Sequence, residues 1–198
     1  SCVDARIKPL NSAPLVGTAF TVKTRIGDNL MLHRAIDMAQ PGDVIVVDVQ
    51  GDLVNSVIGE LMVLWAQRRG IAGIVVDGAV RDADTLRQME FPVYAAGITP
   101  KGPYKDGPGE INVQVCCGGV VVNPGDIIVG DGDGIVVIRP QDAATVLEST
   151  LSHTLNTRKT PTIVVEMGIG MRITKEYGDR LVDGIFNAYH AYPGIWIK

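Results

Sequence analysis

Long apolar runs are missing from this chain of 198 residues. The longest, such as Val44–Val47 and Ile74–Val76, have the length of a strand, far short of the roughly 20 apolar residues that cross a bilayer as a helix. Positive charge is not in excess either. Eighteen Lys and Arg stand against 22 Asp and Glu, for a net charge of −4. The basic residues are dispersed, with Arg68-Arg69 and Arg158-Lys159 as the densest pairs. Nucleic-acid binding by counterion release needs Lys and Arg in clusters, so that class of partner is not expected. Cysteine is limited to three, which makes no disulfide framework. Cys116 and Cys117 are adjacent, so on a strand they point to opposite faces. With no CxxC or nearby His, they do not form a zinc site. A reduced, cytoplasmic setting is the expectation. No basic-then-apolar leader opens the chain, and its start on Ser1 rather than Met suggests trimming. Nothing resembles a Ser-His-Asp arrangement or a dinucleotide fingerprint. Gly130–Gly134 lacks the Lys-Ser/Thr of a phosphate loop and reads as a turn.

What is present is the composition of one globular domain, 46% apolar and 20% charged, long enough to bury a single core. Short β-branched runs bounded by Gly, Pro, Asn or Asp read as strands at 19–24, 44–49, 74–77, 93–95, 112–115, 120–122, 127–130, 135–138 and 162–165. Helices are expected over 28–40, 56–69, 81–90 and 141–153. In the second of these, Ile58, Leu61, Met62, Trp65 and Ala66 are expected to face inward, with Gly70 as terminator. Residues 44–95 run strand, helix, strand, helix, strand, the order of a parallel unit with crossover helices. Residues 111–138 run as strands and turns only, so that half is expected to be antiparallel or barrel-like. The expectation is a single α/β domain over 1–198, layered β/β/α. The tail after Gly168 is harder to read, and Tyr192–Trp196 suggests contact with the body or another subunit.

The richest stretch joins Gly59-Glu60-Leu61-Met62 to Asp77-Gly78-Ala79-Val80-Arg81-Asp82, with Arg81 lying 21 positions after Glu60. Both segments belong to the same end of the parallel unit, the edge at which α/β sheets bind ligands. Backbone amides at a helix start favour an anion, so those of Leu61 and Met62 are candidates to hold a carboxylate or carbonyl oxygen. Arg81 supplies a planar, permanently charged fork. Asp82 supplies a hard oxygen ligand, and Glu60 a second carboxylate able to bind a metal's waters. Spacing alone favours the plainer reading, with Asp82 as a helix cap, Arg81 as an exposed partner and Glu60 as a first-turn carboxylate favoured by the helix dipole.

These residues resemble the signature of the RraA-like family, which includes the class II 4-hydroxy-4-methyl-2-oxoglutarate/4-carboxy-4-hydroxy-2-oxoadipate aldolases. Further matches are Gly27-Asp28-Asn29, His33-Arg34-Ala35, Gln40-Pro41-Gly42-Asp43-Val44, Val47-Asp48, Phe91-Pro92-Val93, Thr99-Pro100-Lys101-Gly102, Asn123-Pro124-Gly125-Asp126 and Gly130-Asp131-Gly132-Asp133-Gly134. The similarity covers about residues 5–150 in the family's order. The resemblance implies a swivelling-domain-like fold and a lyase that releases pyruvate through an enolate, with oxaloacetate decarboxylation as a side activity. It implies that Arg81 binds the pyruvyl carboxylate and Asp82 ligates Mg²⁺ or Mn²⁺. It also implies that Glu60 contacts metal-bound water, and that Gly59, Leu61 and Met62 hold the pyruvyl group through the backbone. An acidic side chain from a neighbouring subunit is implied as well, with Glu166 and Glu176 as candidates, and with it a homotrimer or homohexamer. The tail and the shorter N-terminus depart from the family pattern.

A rival expectation is a regulator of the kind that binds and inhibits ribonuclease E, in which an acidic surface would act instead of a filled metal pocket. Arg81, Asp82 and Glu60 together favour the enzyme. The methyltransferase label sometimes attached to the family finds no glycine-rich cofactor loop here. His33, beside Arg34, reads as structural, and the Gly/Pro-rich loop carrying Lys101 and Lys105 reads as a cover for the site or a subunit contact rather than a source of Schiff-base chemistry.

Overall fold

β-branched runs separated by two amphipathic stretches build a sheet with parallel strands at its centre. The structure, a computed structural model, describes residues 1–158, 164–166 and 170–172, with side chains through residue 150. In chain order the elements are β1 (Lys8–Pro9), β2 (Leu15–Thr24), α1 (Leu30–Met38), β3 (Asp43–Ile58), α2 (Glu60–Arg68), β4 (Gly73–Val80), α3 (Ala83–Gln88) and β5 (Val93–Ile98). Then come β6 (Gly109–Ile111), β7 (Val115–Cys117), β8 (Val120–Val122), β9 (Ile127–Gly130), β10 (Ile135–Ile138), α4 (Ala143–Arg158), β11 (Val164–Glu166) and β12 (Gly170–Arg172). The main sheet runs β1-β5-β4-β3-β2-β9-β10, with β6 also on β2. β2, β3, β4 and β5 pair in parallel. The outer strands β1, β6, β9 and β10 pair antiparallel. Residues 15–18 of β2 pair with β9 and residues 22–24 with β6, so the sheet divides and curls at that edge. No helix among the described residues is long and apolar enough to cross a membrane.

The period of two along the central strands feeds two cores. Ile45, Val47 and Val49 of β3 join Leu32, Ala35 and Ile36 of α1 and Val63 and Ala66 of α2. Val44 and Val46, on the other face, meet Ile7, Leu15, Tyr94 and the β7–β8 hairpin through Val115, Cys117 and Val122. The layers are therefore helices, sheet and a β layer, as the sequence pattern implies. The hairpin is fastened by buried carboxylates. Asp48 accepts from the Cys116 amide at 3.2 Å, and Asp77 accepts from the Gly118 amide at 2.9 Å. Asp77 also takes two bonds from Arg6 at 2.8 and 3.0 Å. Cys116 is exposed and Cys117 buried, as adjacent strand residues should be. Burial, reinforced by the charges of Asp77 and Asp48, pushes the Cys117 thiol far up, which leaves it inert as a nucleophile.

Three local expectations need correction. β3 does not stop near residue 49 but continues to Ile58. Gln50 and Gly51 adopt positive φ, and the pairing to β4 shifts register between Asp48 and Asp52, so the strand bends and carries on. Residues 56–58 accordingly lie in a strand, and α2 begins at Glu60 with Gly59 as its cap. Its buried positions are Val63 and Ala66, while Leu61 is 79% and Trp65 48% exposed. α2 is apolar at 61–66 without a break, so two helical phases fit the periodicity, and packing selects the one through Val63. Finally, Asn112, expected to start a strand, has φ 59° and separates β6 from β7.

Asp28, in the turn before α1, is fully buried. Its carboxylate accepts from the amides of Leu30 at 2.9 Å, Asp106 at 2.7 Å and Gly107 at 2.9 Å, with Arg25 at 3.4 Å. Burial pushes its pKa up, but the three amides and Arg25 outweigh that and hold it below the ordinary 3.8. The carboxylate thus ties the segment after β5 to the start of α1. Asp28→Ala should destabilise the fold by about 3 kcal/mol, since it strands buried amide donors. The stabilisation from Asp28 is full above its unfolded pKa and fades as pH falls through the lower folded value. Chemical denaturation of both proteins between pH 7 and pH 2.5 checks this: the gap between them should narrow with acid.

Candidate active site

Three segment ends are stitched together at the carboxyl edge of the parallel strands. The Arg81 amide donates to Ile58 O at 2.9 Å, and the Thr99 amide to Val80 O at 3.0 Å. Ser56 donates to Lys101 O through its amide and its hydroxyl, both at 2.8 Å. Asn55 Nδ2 donates to Gly102 O at 2.7 Å. The end of β3, the end of β4 and the loop after β5 therefore hold one another in register. Asn29 adds a further brace, as its buried Nδ2 donates to Val57 O at 2.9 Å and to Met62 Sδ at 3.5 Å.

Gly59, Glu60, Arg81 and Asp82 meet at this junction. Asp82 stands at the N-cap of α3, but its side chain caps nothing in that helix. It adopts the left-handed conformation, φ 58° and ψ 36°, and turns Oδ2 back to accept the Glu60 amide across 22 residues at 2.9 Å. Arg81 Nε lies 3.7 Å from the same oxygen, and the two side chains are 45% and 40% exposed. The helical ladder of α2 begins at Val63, whose amide donates to Gly59 O at 3.1 Å. The Leu61 and Met62 amides precede that first bond, so no carbonyl of the helix serves them. Gly59 is required by proximity: a Cβ there would collide with Asp82 Oδ2 and lie 2.8 Å from Arg81 Cγ. Gly59→Ala should therefore push both side chains aside and, if the site is catalytic as proposed below, lower turnover by about 10²-fold, the effect of a displacement near 1 Å. Steady-state kinetics beside an unchanged circular dichroism spectrum would show it.

Arg81 and Asp82 open onto a cleft of about 490 Å³, whose other walls are Ala83, Asp84 and Arg87 of α3, Ile98 at the end of β5, and Thr99 and Pro100 after it. Its volume suits a small ligand. The loop with Lys101 runs along this cleft, and a Cβ at Gly102 would sit 3.6 Å from Arg81 Nη1. Ile98, Thr99, Pro100 and Arg87 were not among the expected site residues. The Thr99-Pro100-Lys101-Gly102 match was the available signal for Thr99 and Pro100. His33 lies apart from this set of lining residues. Burial and the charge of Lys105 lower its pKa, so it is neutral at neutral pH, and its Nε2 is buried without a partner among the described residues. Glu166 and Glu176 lie outside the residues with described side chains.

Among the described residues no three His, Cys, Asp or Glu side chains converge. The oxygen donors at the junction are Asp82 and Glu60. One or two carboxylates fit a hard divalent ion that keeps several of its waters, such as Mg²⁺ or Mn²⁺, and do not fit a closed zinc site.

Residues 1–137 match the RraA-like family described as Aldolase/RraA. The chain belongs to that family. A protein of Halalkalibacterium halodurans named "Putative 4-hydroxy-4-methyl-2-oxoglutarate aldolase" is 46% identical over 143 residues, 72% of this chain and 68% of that protein. Among solved structures, the RNA-processing inhibitor RraA from Thermus thermophilus is 31% identical with a TM-score of 0.66, over 70% of this chain and 85% of that one. RraAS2 of Streptomyces coelicolor, described as an unusual member of the RNase ES inhibitor RraA protein family, is also 31% identical. Its TM-score is 0.69, over 77% of this chain and 80% of that one. This RraA-like chain thus shares its fold with proteins named for two different activities, and its own side chains must discriminate between them.

Proposed function

We propose that the protein is a divalent-metal-dependent aldolase that cleaves 4-hydroxy-2-oxo di- and tricarboxylic acids to pyruvate and a second oxo acid. Substrates of this class include 4-hydroxy-4-methyl-2-oxoglutarate and 4-carboxy-4-hydroxy-2-oxoadipate. The same site would decarboxylate oxaloacetate. The observation that carries the reading is the pairing of the Arg81 guanidinium and the Asp82 carboxylate on one cleft, with Asp82 hydrogen-bonded to the first amide of α2. The name borne by the relative from Halalkalibacterium halodurans supports it.

Asp82 directly, and Glu60 through water, would hold Mg²⁺ or Mn²⁺, which when bound supplies Lewis-acid stabilisation of negative charge on oxygen. Arg81 binds the 2-oxo acid carboxylate with its fork, and the Leu61 and Met62 amides donate to a carboxylate or keto oxygen at the helix start. Glu60 orients a water that takes the C4 hydroxyl proton. The C3–C4 bond then breaks, its electrons pass to C3 and the 2-keto oxygen, and C4 leaves as a carbonyl. Arg81 opposes the charge of the resulting enolate, which takes a proton at C3 to become pyruvate. In oxaloacetate the same bond breaks with CO₂ as the leaving fragment, so one intermediate serves both reactions. An acidic side chain from a neighbouring copy in a homotrimer or homohexamer would complete the site.

A second reading, a regulator that binds ribonuclease E, is favoured by the names of the two solved structures above. Measuring pyruvate release from 4-hydroxy-2-oxo acids and oxaloacetate with Mg²⁺, with Mn²⁺ and with chelator separates the two. The aldolase reading requires release that chelation abolishes. Absence of release from every substrate, with ribonuclease inhibition present, would establish the regulator instead.

A further inference from the structure

A three-carbon keto acid needs one guanidinium, yet the cleft is lined by two. Arg81 precedes α3, and Arg87 lies within it, on a wall of the same cleft. Six positions separate them. The helix runs from Ala83, so at roughly 1.5 Å of rise per residue Arg87 stands about one turn beyond the point where Arg81 and Asp82 enter the cleft. Ile98 and Pro100 add an apolar part to the same lining, suited to the carbon skeleton of a ligand rather than to its charge.

Arg87 is held for now by Asp84, whose Oδ1 accepts from Nη1 at 2.8 Å. Asp84 is 94% exposed on its side chain and Arg87 52%. An exposed pair of this spacing is weak, so a better-placed carboxylate can take Asp84's place on the fork. Asp82 is not available to Arg87 in the same way, because its Oδ2 is engaged by the Glu60 amide and approached by Arg81.

We infer that Arg87 is the specificity residue that receives the distal carboxylate of a 2-oxo diacid whose 2-oxo acid end lies at Arg81, with Asp84 as the resident counter-ion that the substrate displaces. The inference rests on the proposed placement of the 2-oxo acid at Arg81. It assigns selection for diacids over monoacids to one ion pair on α3, and it makes Asp84 and Arg87 act in opposite directions.

The test is calorimetric titration of the full chain, with Mg²⁺ present, by 2-oxoglutarate and by 2-oxobutyrate. The two share a 2-oxo acid head and differ in the distal carboxylate. Wild type should prefer the diacid by about tenfold or more, the worth of one charge-assisted contact. Arg87→Ala should bring the affinity ratio close to one, Arg87→Lys should restore part of it, and Asp84→Asn should tighten the diacid. A merely structural role for the pair would weaken both ligands together in both variants. The inference is overturned by an unchanged ratio in Arg87→Ala, by equal loss for the two acids, by weaker diacid binding in Asp84→Asn, or by no binding of either acid to wild type. If the ratio behaves as stated while no 4-hydroxy-2-oxo acid is cleaved, the aldolase reading falls and the diacid site stands. If cleavage occurs with the ratio unmoved, only the inference about Arg87 falls.

Discussion

Arg81→Ala is expected to slow pyruvate release from oxaloacetate by about 10³-fold, the upper range for loss of one preorganised charge-stabilising group. The guanidinium serves twice in the proposed reaction, first on the carboxylate and then against the enolate's charge. Because the second role exists only as the bond breaks, the loss should fall on kcat as well as on KM. The fold should hardly notice. Arg81's side chain is 45% exposed and approaches Asp82 no closer than 3.7 Å, so denaturation should shift by about 0.5 kcal/mol or less. Arg81→Lys keeps the charge and loses the fork, and should fall between the two. Steady-state kinetics and denaturation on the three proteins check all of this.

The second large effect is expected at Asp82. Alanine there would confound two changes, because Asp82 has φ 58° and an alanine in that region is strained, whereas asparagine tolerates it. Asp82→Asn keeps the backbone and an acceptor for the Glu60 amide, and removes only the charge. Turnover should fall by about three orders of magnitude, corresponding to the several kcal/mol that a Lewis acid contributes. The concentration of Mn²⁺ giving half-maximal residual rate should rise at least tenfold, roughly the 1.4 kcal/mol of a single lost charged contact. A metal titration of activity reads both quantities.

Much of this architecture is visible in the chain itself. The strands around Val44–Val47 and Ile74–Val76 are continuous apolar runs, as strands covered on both faces must be, and the helical stretches between them make the pairing parallel. Arg81 and Asp82 stand out because they follow such a strand directly. Other features depend on non-local contacts. β3's extension to Ile58 follows from two left-handed residues, Gln50 and Gly51, at a place where composition suggests a loop. The phase of α2 is ambiguous in a segment apolar from Leu61 to Ala66, and only the sheet beneath Val63 settles it. The need for Gly59 arises from Asp82, 23 positions later, and no local pattern contains it. The walls at Ile98, Thr99 and Pro100 reach the site because Val80 O holds the Thr99 amide and because Ser56 and Asn55 hold the carbonyls of Lys101 and Gly102 just beyond. Asp28 reads as the first residue of the helix expected over 28–40, yet it is a buried anchor for a segment almost eighty positions away.

Arg81 and Asp82 are claimed to act on one small planar acid together, and oxalate, a stable mimic of the pyruvate enolate, probes that claim without catalysis. Calorimetric titration of oxalate should show binding to wild type with Mg²⁺ that vanishes with chelator, and that is lost in both Arg81→Ala and Asp82→Asn. Oxalate binding that ignores the metal, or that survives intact in both variants, would contradict the account.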